Sequence, residues 1–157
     1  MSISTDFQIR PYHNKDKKEI IDLHIHALKA AGAYTGSGEW DDDLQTIQEH
    51  YFQRKGYFLV AAADNKVIAM GALRQVNKMT GEIKRMRVHP SYQRQGIGRK
   101  LLLALEEKAK EYGYKKLILD TTIVQTAAQK LYERENYQIT KTGALGGFET
   151  IINQKNL

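Results

Sequence analysis

The run Gln93-Arg94-Gln95-Gly96-Ile97-Gly98 leads directly into Arg99 and Lys100, at the point where a helical pattern begins. Glycine inside a helix costs about 0.5–1 kcal/mol relative to alanine, so two of them at a helix start call for a chemical reason. Anion binding supplies one. A helix N-terminus leaves its first amides without intrahelical partners and carries roughly half a positive charge, which attracts phosphate. Gly96 and Gly98 let a phosphate oxygen approach those amides, and Arg94, Arg99 and Lys100 add cations at the rim. The charge distribution agrees. Residues 84 to 100 contain six basic side chains and no acid, and the rest of the chain holds 18 of each, so the formal charge of +6 arises here. A compact anion fits this footprint better than a duplex-length stripe, so no nucleic acid partner is expected; a solvated basic face is the competing reading of the charge alone.

Two well-known phosphate loops do not fit. A Walker loop needs a second glycine five residues after the first, and a Rossmann fingerprint needs a third glycine three residues past Gly98. Both positions fall on Leu101. Taken alone, two glycines at a helix start are also compatible with a tight strand-to-helix turn.

The elements that must hold this turn can be read from periodicity. Residues 6–12 read as a strand, Asp16 to Ala30 as a helix with Ile21, Ile25 and Leu28 on one face, and Asp41 to Gln53 as a second helix opened by acids. Residues 56–64 and 66–76 flank Asp64-Asn65 and form a hairpin. Residues 81–90 make a strand stopped by Pro90. From Ile97, the positions Leu101, Leu105, Ala109 and Tyr112 share a helix face, with Glu106, Glu107, Lys110 and Glu111 opposite and Gly113 ending the helix. Residues 115–122 are apolar enough for a central strand, 124–136 read as a helix, and 137–143 and 148–153 as closing strands. The order is β-α-α-β-β-β-α-β-α-β-β, an α/β (mixed α+β) class.

Composition bounds the rest. With 157 residues, 41% of them hydrophobic, the chain can bury one good core and is short for two, so residues 1–157 are read as a single domain. Its apolar runs are far below the ~18 residues that span a bilayer and its start is polar, so no membrane is expected and a cytoplasmic location is. The absence of cysteine excludes disulfides, thiolate metal sites and a cysteine nucleophile. His24 and His26 lie about 200° apart on a helix and cannot share a metal, and none is expected. No G-x-S-x-G occurs, which argues against a serine hydrolase.

The run from Glu82 to Leu102, "EIKRMRVHPSYQRQGIGRKLL", resembles the acetyl-coenzyme A motif of the GNAT superfamily of N-acetyltransferases through Gln93, Gly96 and Gly98. The later run "AAQKLYERENY" is similar to a second motif of that superfamily at Ala128, Leu131, Tyr132 and Tyr137. The element order fits along essentially the whole chain. Two departures stand out: Asn136 replaces the glycine that often precedes the last aromatic, and Gln125 replaces an asparagine that contacts the cofactor. Asparagine tolerates the left-handed conformation of a helix end, so the backbone role can survive.

The resemblance implies a GNAT fold: a central, mixed but mostly antiparallel sheet of six to seven strands with about four helices on its two faces. Acetyl-CoA is the implied cosubstrate. Its arm would lie between the diverging ends of the strand that stops at Val88 and the strand "KKLILD", bonded by main-chain groups around Met86 and Val88 as if it were an added strand. Backbone amides from Arg94 through Gln95, Gly96, Ile97 and Gly98 to Arg99 would hold its pyrophosphate, with Gln125 as a further contact. The implied reaction is direct acetyl transfer to a primary amine in a ternary complex. Glu82 is the candidate base, by analogy with histone-acetylating relatives; a solvated glutamate at a strand start is the alternative. Tyr132 is the candidate acid for the leaving thiolate, with a buried packing tyrosine as the alternative. The Val88 amide is the implied oxyanion donor.

The acceptor is sought in the loop between the first two helices, where Glu39, Asp41, Asp42 and Asp43 could hold an ammonium and Tyr34 or Trp40 could stack on it; helix capping explains the acids equally well. Phe148 and Glu149 belong to a loop that can close the other side. A small-molecule amine is the expected acceptor. The alternatives are a protein or peptide amine, or a non-catalytic acyl-CoA sensor. Dimers are common in similar proteins, which leaves a homodimer open.

Overall fold

The computed structural model describes residues 6–32, 34, 36, 39–122, 126–145 and 148–157. Their elements run β1 (Gln8–Pro11), α1 (Lys17–Ala30), α2 (Ile47–His50), β2 (Tyr57–Ala63), β3 (Lys66–Gln75), β4 (Thr80–Val88), α3 (Ile97–Glu111), β5 (Lys116–Thr122), α4 (Thr126–Arg134), β6 (Gln138–Leu145) and β7 (Phe148–Asn156). The seven strands form one sheet in the order β1-β2-β3-β4-β5-β7-β6. Only β4 and β5 pair in parallel; the other neighbours are antiparallel.

β2 and β3 are buried on both faces, which explains their nearly continuous apolar sequence. Leu59, Ala61, Ala69 and Leu73 face a cluster completed by Leu101, Leu102 and Leu105 of α3 and Tyr132 of α4. The intervening Phe58, Val60, Met70 and Ala72 face a second cluster with Ile20 and Leu23 of α1, Leu44, Ile47 and Tyr51. The sheet therefore separates an α1 side from an α3 side. The hairpin between β2 and β3 turns on Asp64 (φ 50°) and Asn65 (φ 64°), both left-handed as a two-residue primed turn requires.

Two expectations fail. The second helix does not run from Asp41 to Gln53. A 3-10 segment (Glu39–Gln45), the single turn of α2 and a 3-10 turn (Phe52–Arg54) replace it. Thr46 leaves the helical path with φ −137° and ψ 56°. The cause is tertiary: Leu44, Ile47 and Tyr51 insert into the α1-side core while Asp43 is drawn to a buried arginine, Arg85, on β4. Glu106, assigned to the solvent face of α3, is instead 4% exposed. Its carboxylate accepts from Tyr137 Oη at 2.8 Å and from Lys155 Nζ at 3.1 Å, so the neighbouring β7 supplies a cation that a helical wheel cannot show.

The feature that shapes the site is in β4. Ala72 of β3 pairs with Lys84 and Met70 pairs with Arg87, so β4 carries one extra residue over this interval. Arg85 adopts φ 60° there, the left-handed conformation of a bulge. The bulge turns the Arg85 side chain to the α1 side, where it meets Asp43, and sends Met86 and Val88 to the α3 side. Met86 fits because Gly71 lies opposite: a Cβ on Gly71 would sit 2.5 Å from Met86 Sδ. Pairing of β4 with β5 ends at Ile83↔Leu119, although β4 continues to Val88 and β5 to Thr122. Bulges bend and twist a strand away from its partner, and the two strands part into a fork.

Candidate active site

At the fork, main-chain groups of β4 lose their β5 partners. His89 N donates to Ile68 O of β3 at 2.8 Å. Since successive residues of a strand point their backbone groups to opposite edges, the N–H and C=O of Val88 point away from β3, into the fork. The Val88 carbonyl accepts a 3.4 Å contact from Gln93 Nε2, and Arg87 Nη1 donates to the Met86 carbonyl at 2.8 Å. The carbonyls on either side of Arg87 are thus covered by side-chain donors rather than by a strand, and an extended amide-bearing ligand can replace such donors.

The turn after Val88 delivers the chain to α3. Arg94 (φ 65°) and Gly96 (φ 79°) are both left-handed, and Gly96 is the N-cap of α3. A Cβ on Gly96 would meet nothing within 4 Å, so the space over the helix end is open. The first helical hydrogen bond runs from Lys100 N to Gly96 O at 3.1 Å, which leaves the amides of Ile97, Gly98 and Arg99 at the helix mouth. The buried Ile97 side chain, 1% exposed, pins that mouth to the core. Gly98 packs under it: its Cβ position lies 3.5 Å from Leu131 Cδ2 and 3.6 Å from Val88 Cγ2. Gln93, Arg94 and Gln95 line the turn in exposed positions. The cationic rim is thinner than its sequence suggests. The Arg99 guanidinium bonds Glu135 Oε1 at 2.6 Å, and Lys100 Nζ sits 5.1 Å from the centre of the Phe7 ring. Arg99 therefore presents its amide at the helix mouth, with its side chain turned to the end of α4.

Tyr132 on α4 is 4% exposed and meets the Tyr137 ring edge-on at 5.8 Å. Burial pushes its phenol up to about 12; the positive charge of Arg87 works against that rise and the negative charge of Asp120 adds to it. Both charged groups lie on the strands of the fork, β4 and β5, while the Tyr132 ring packs in the α3-side core. Asn136 closes α4 with φ 71°, the left-handed conformation for which asparagine stands in for glycine.

Glu82 sits on the opposite, α1 side, with a side chain 16% exposed. It pairs across strands with Arg74, whose Nε and Nη2 lie 2.9 and 2.8 Å from Oε1. It is therefore not a loose residue at a strand start. Sequence reasoning missed a second carboxylate. Asp120 is the first β5 residue beyond the last β4–β5 pair, exposed, and on the same sheet face as Ile118, the register partner of Glu82. Among the described residues no side chain forms an ion pair with it. Its only sequence cue is a charge at the end of an apolar strand, which is also an ordinary strand terminus.

The segment in which the acceptor is expected is partly described. Tyr34 is half-buried, with Lys29 Nζ 5.1 Å from its ring centre. The side chains of Glu39, Trp40, Asp41 and Phe148 lie outside the described residues, as does Gln125. Asp43 is not available to hold an acceptor amine: its carboxylate, 6% exposed, is bound by Arg85 and by the Tyr51 hydroxyl. At the end of β4 the His89 ring stacks on His26 of α1 at 5.0 Å, and its Nδ1 accepts from Ser91 N at 3.1 Å.

Residues 19–137, three quarters of the chain and the span holding both motifs, match the Acetyltransferase (GNAT) family. The chain belongs to that family. The human N-acetyltransferase 8 is 32% identical over 107 residues, covering 64% of this chain and 46% of that protein. An IAA acetyltransferase of Azospirillum brasilense is 33% identical over 96 residues, 60% of either chain. This chain thus spans about half the length of the curated relatives it matches. An acetyltransferase from Streptococcus agalactiae superposes with a TM-score of 0.88 at 22% identity, over 96% of this chain and 98% of its own. One from Salmonella typhimurium, crystallised with its cofactor acetyl-CoA, superposes with a TM-score of 0.80 at 21% identity, over 96% and 93%. The GNAT fold read from the motifs is the fold observed: a seven-stranded mixed sheet with helices on both faces, forked between β4 and β5.

Proposed function

We propose that this GNAT domain transfers an acetyl group from acetyl-CoA to a primary amine of a small molecule, by direct attack in a ternary complex. The observation that carries this reading is the continuity of the fork with the α3 helix mouth. One run of backbone, from Met86 to Arg99, presents strand-type groups to an amide-bearing arm and then unpartnered amides to a diphosphate. The crystallised Salmonella relative, which holds acetyl-CoA on the same fold, supports this assignment. A small acceptor suits the 39–45 segment, which Asp43 ties down across the α1 face of β4.

The residues divide the chemistry as follows. The Val88 N–H donates to the carbonyl oxygen as negative charge develops on it. On the α1 side Glu82, directly or through an intervening water, removes the proton of the attacking amine, and Asp120 is the neighbouring carboxylate on that face. From the α3 side Tyr132, protonated at neutral pH like any phenol and held further from ionisation by burial, donates to the departing thiolate. Acid and base thus approach the fork from opposite faces of the sheet, which keeps the two proton transfers apart.

The test is release of free thiol from acetyl-CoA, followed with a chromogenic disulfide across a panel of small primary amines and N-terminal peptides. Turnover on a small amine is the expected result. Turnover on peptides alone moves the acceptor class to protein. Cofactor binding by calorimetry without turnover on any acceptor overturns the enzyme reading in favour of an acyl-CoA sensor.

A further inference from the structure

A buried charged cluster lies on the α1 side of the fork. Arg85, whose side chain is 8% exposed, donates through Nε to Asp43 Oδ2 at 3.0 Å and through Nη2 to Oδ1. Tyr51, 0% exposed and edge-on to Phe58, donates its hydroxyl to the same carboxylate. A packed apolar trio of this volume would often be equal or better for stability, because desolvating two charges offsets much of their attraction. Arg85 also carries the left-handed backbone of the bulge, which costs a side-chain-bearing residue about 1–2 kcal/mol. Two unfavourable choices at one residue ask for a role beyond packing.

The geometry supplies one. Arg85 is the residue that turns Met86 and Val88 toward the α3 side and opens the fork, so its backbone sets where the acyl arm lies. Its side chain grips Asp43 in the 39–45 segment, which follows α1 and, on the acetyltransferase reading, forms the acceptor wall. One residue therefore joins the strand that aims the acyl group to the wall that holds the acceptor. We infer that the Arg85–Asp43–Tyr51 clamp is a positioning device that fixes the distance between the acetyl carbonyl and the acceptor nitrogen and keeps water out of the gap. Arg85 and Asp43 are positioning residues; neither takes part in proton transfer. A fixed separation matters because transfer depends on a near-attack geometry, and misplacement by about 1 Å can cost on the order of 100-fold in rate. When the wall loosens, water competes for the same carbonyl: the C–S bond still breaks and thiol still leaves, but the new bond is C–O and the product is acetate.

The inference rests on the acetyltransferase reading, and its test separates the two. Arg85→Gly preserves a residue that tolerates the bulge conformation and removes the clamp; Asp43→Asn keeps the shape and removes the charge; Arg85→Lys keeps a cation. For each, binding of acetyl-CoA is measured by calorimetry. Thiol release is compared with acetylated amine by mass spectrometry, using the amine the wild-type protein turns over fastest. For Arg85→Gly and Asp43→Asn we expect acetyl-CoA Kd within about twofold of wild type, kcat/KM for the amine reduced about 10- to 100-fold, and a larger share of thiol released as acetate. Arg85→Lys should recover part of the coupling. A purely structural pair would lower the melting temperature without changing the partition between transfer and hydrolysis in the folded protein. Folded Arg85→Gly with unchanged amine kcat/KM and unchanged partition overturns the clamp alone. If Asp43→Asn does not fold, Tyr51→Phe, which removes one bond to the carboxylate, is expected to shift the partition in the same direction by a smaller amount, and no shift counts against the clamp. Failure of the wild-type protein to acetylate any amine overturns the reaction itself, and the clamp's role with it.

Discussion

Replacing Tyr132 by phenylalanine removes one oxygen from a side chain that is 4% exposed, in a core where its ring meets Tyr137 edge-on. The ring still fills its place, so the fold and the helix mouth, which use other residues, should persist. What is lost is a proton donor. General acid catalysis contributes about 10²–10⁴ in rate. The phenol, pushed up to about 12 by burial, is a poor match for a leaving thiolate of ordinary acidity near ~8.5. Complete proton transfer across a gap of several units is uphill by roughly 5 kcal/mol, so a donor here stabilises the departing sulfur mainly through a strengthening hydrogen bond. That places the expected loss at the low end, about 10²-fold in kcat or ~2.7 kcal/mol. The assay is steady-state thiol release at saturating acetyl-CoA, with cofactor affinity measured separately by calorimetry. Kd should move by less than about twofold, because the hydroxyl is not part of the amide cradle. The deficit should also be constant between pH 6 and 9, since a phenol near 12 stays protonated throughout. A kcat within twofold of wild type would refute the acid role and leave Tyr132 as a packing residue.

Gly96→Glu should abolish the calorimetric heat of acetyl-CoA binding at millimolar concentration, because it places a carboxylate in the open space over the helix mouth. Gly113→Glu, at an equally left-handed position just beyond the other end of α3, controls for backbone strain and should leave Kd within about twofold. Glu82→Gln and Asp120→Asn separate the two carboxylates of the α1 side: the variant that removes the acid limb of the kcat/KM profile identifies the base, and we expect it to be Glu82→Gln. For stability, burial alone would raise the Asp43 carboxyl, but hydrogen bonds and charge from Arg85, with help from Tyr51 and Lys84, hold it below the usual carboxylate range; Arg10 does the same for Asp16. The unfolded chain then binds more protons than the folded one, so this stabilisation is present above pH ~4 and is lost as pH falls below it. Urea midpoints should drop between pH 5 and 3, with a shallower drop in Asp43→Asn; equal slopes in both proteins would contradict the depressed Asp43 value.

Much of the site was legible before folding because it is made of backbone. An open helix mouth needs glycines at a helix start and little else, so Gly96 and Gly98 announce it, and Asn136 and Asp64-Asn65 announce left-handed turns by residue type. Strand order within the sheet was not legible: β7 enters between β5 and β6, and periodicity carries no information on which strand becomes a neighbour. Nor was the bulge. Arg85 is a residue that left-handed backbone disfavours, and it is held there by Asp43, 42 residues away in sequence.

The division has a physical cause. Local conformation, helix mouths and amphipathic stripes follow from interactions within a few residues, and the order of residues along the chain by itself determined those: the glycine-bearing turn into α3, the alternation of strands and helices, and the family to which they point. Charge partnerships are non-local. The chain's acids and bases could be counted in advance, but only the tertiary structure decided that Asp43 would serve Arg85 rather than an incoming amine, that Glu106 would be neutralised inside the core by Lys155, and that Asp120 would stand at the fork beside Glu82. Burial sets the strength of each pairing, and burial is known only once the sheet has closed over its helices.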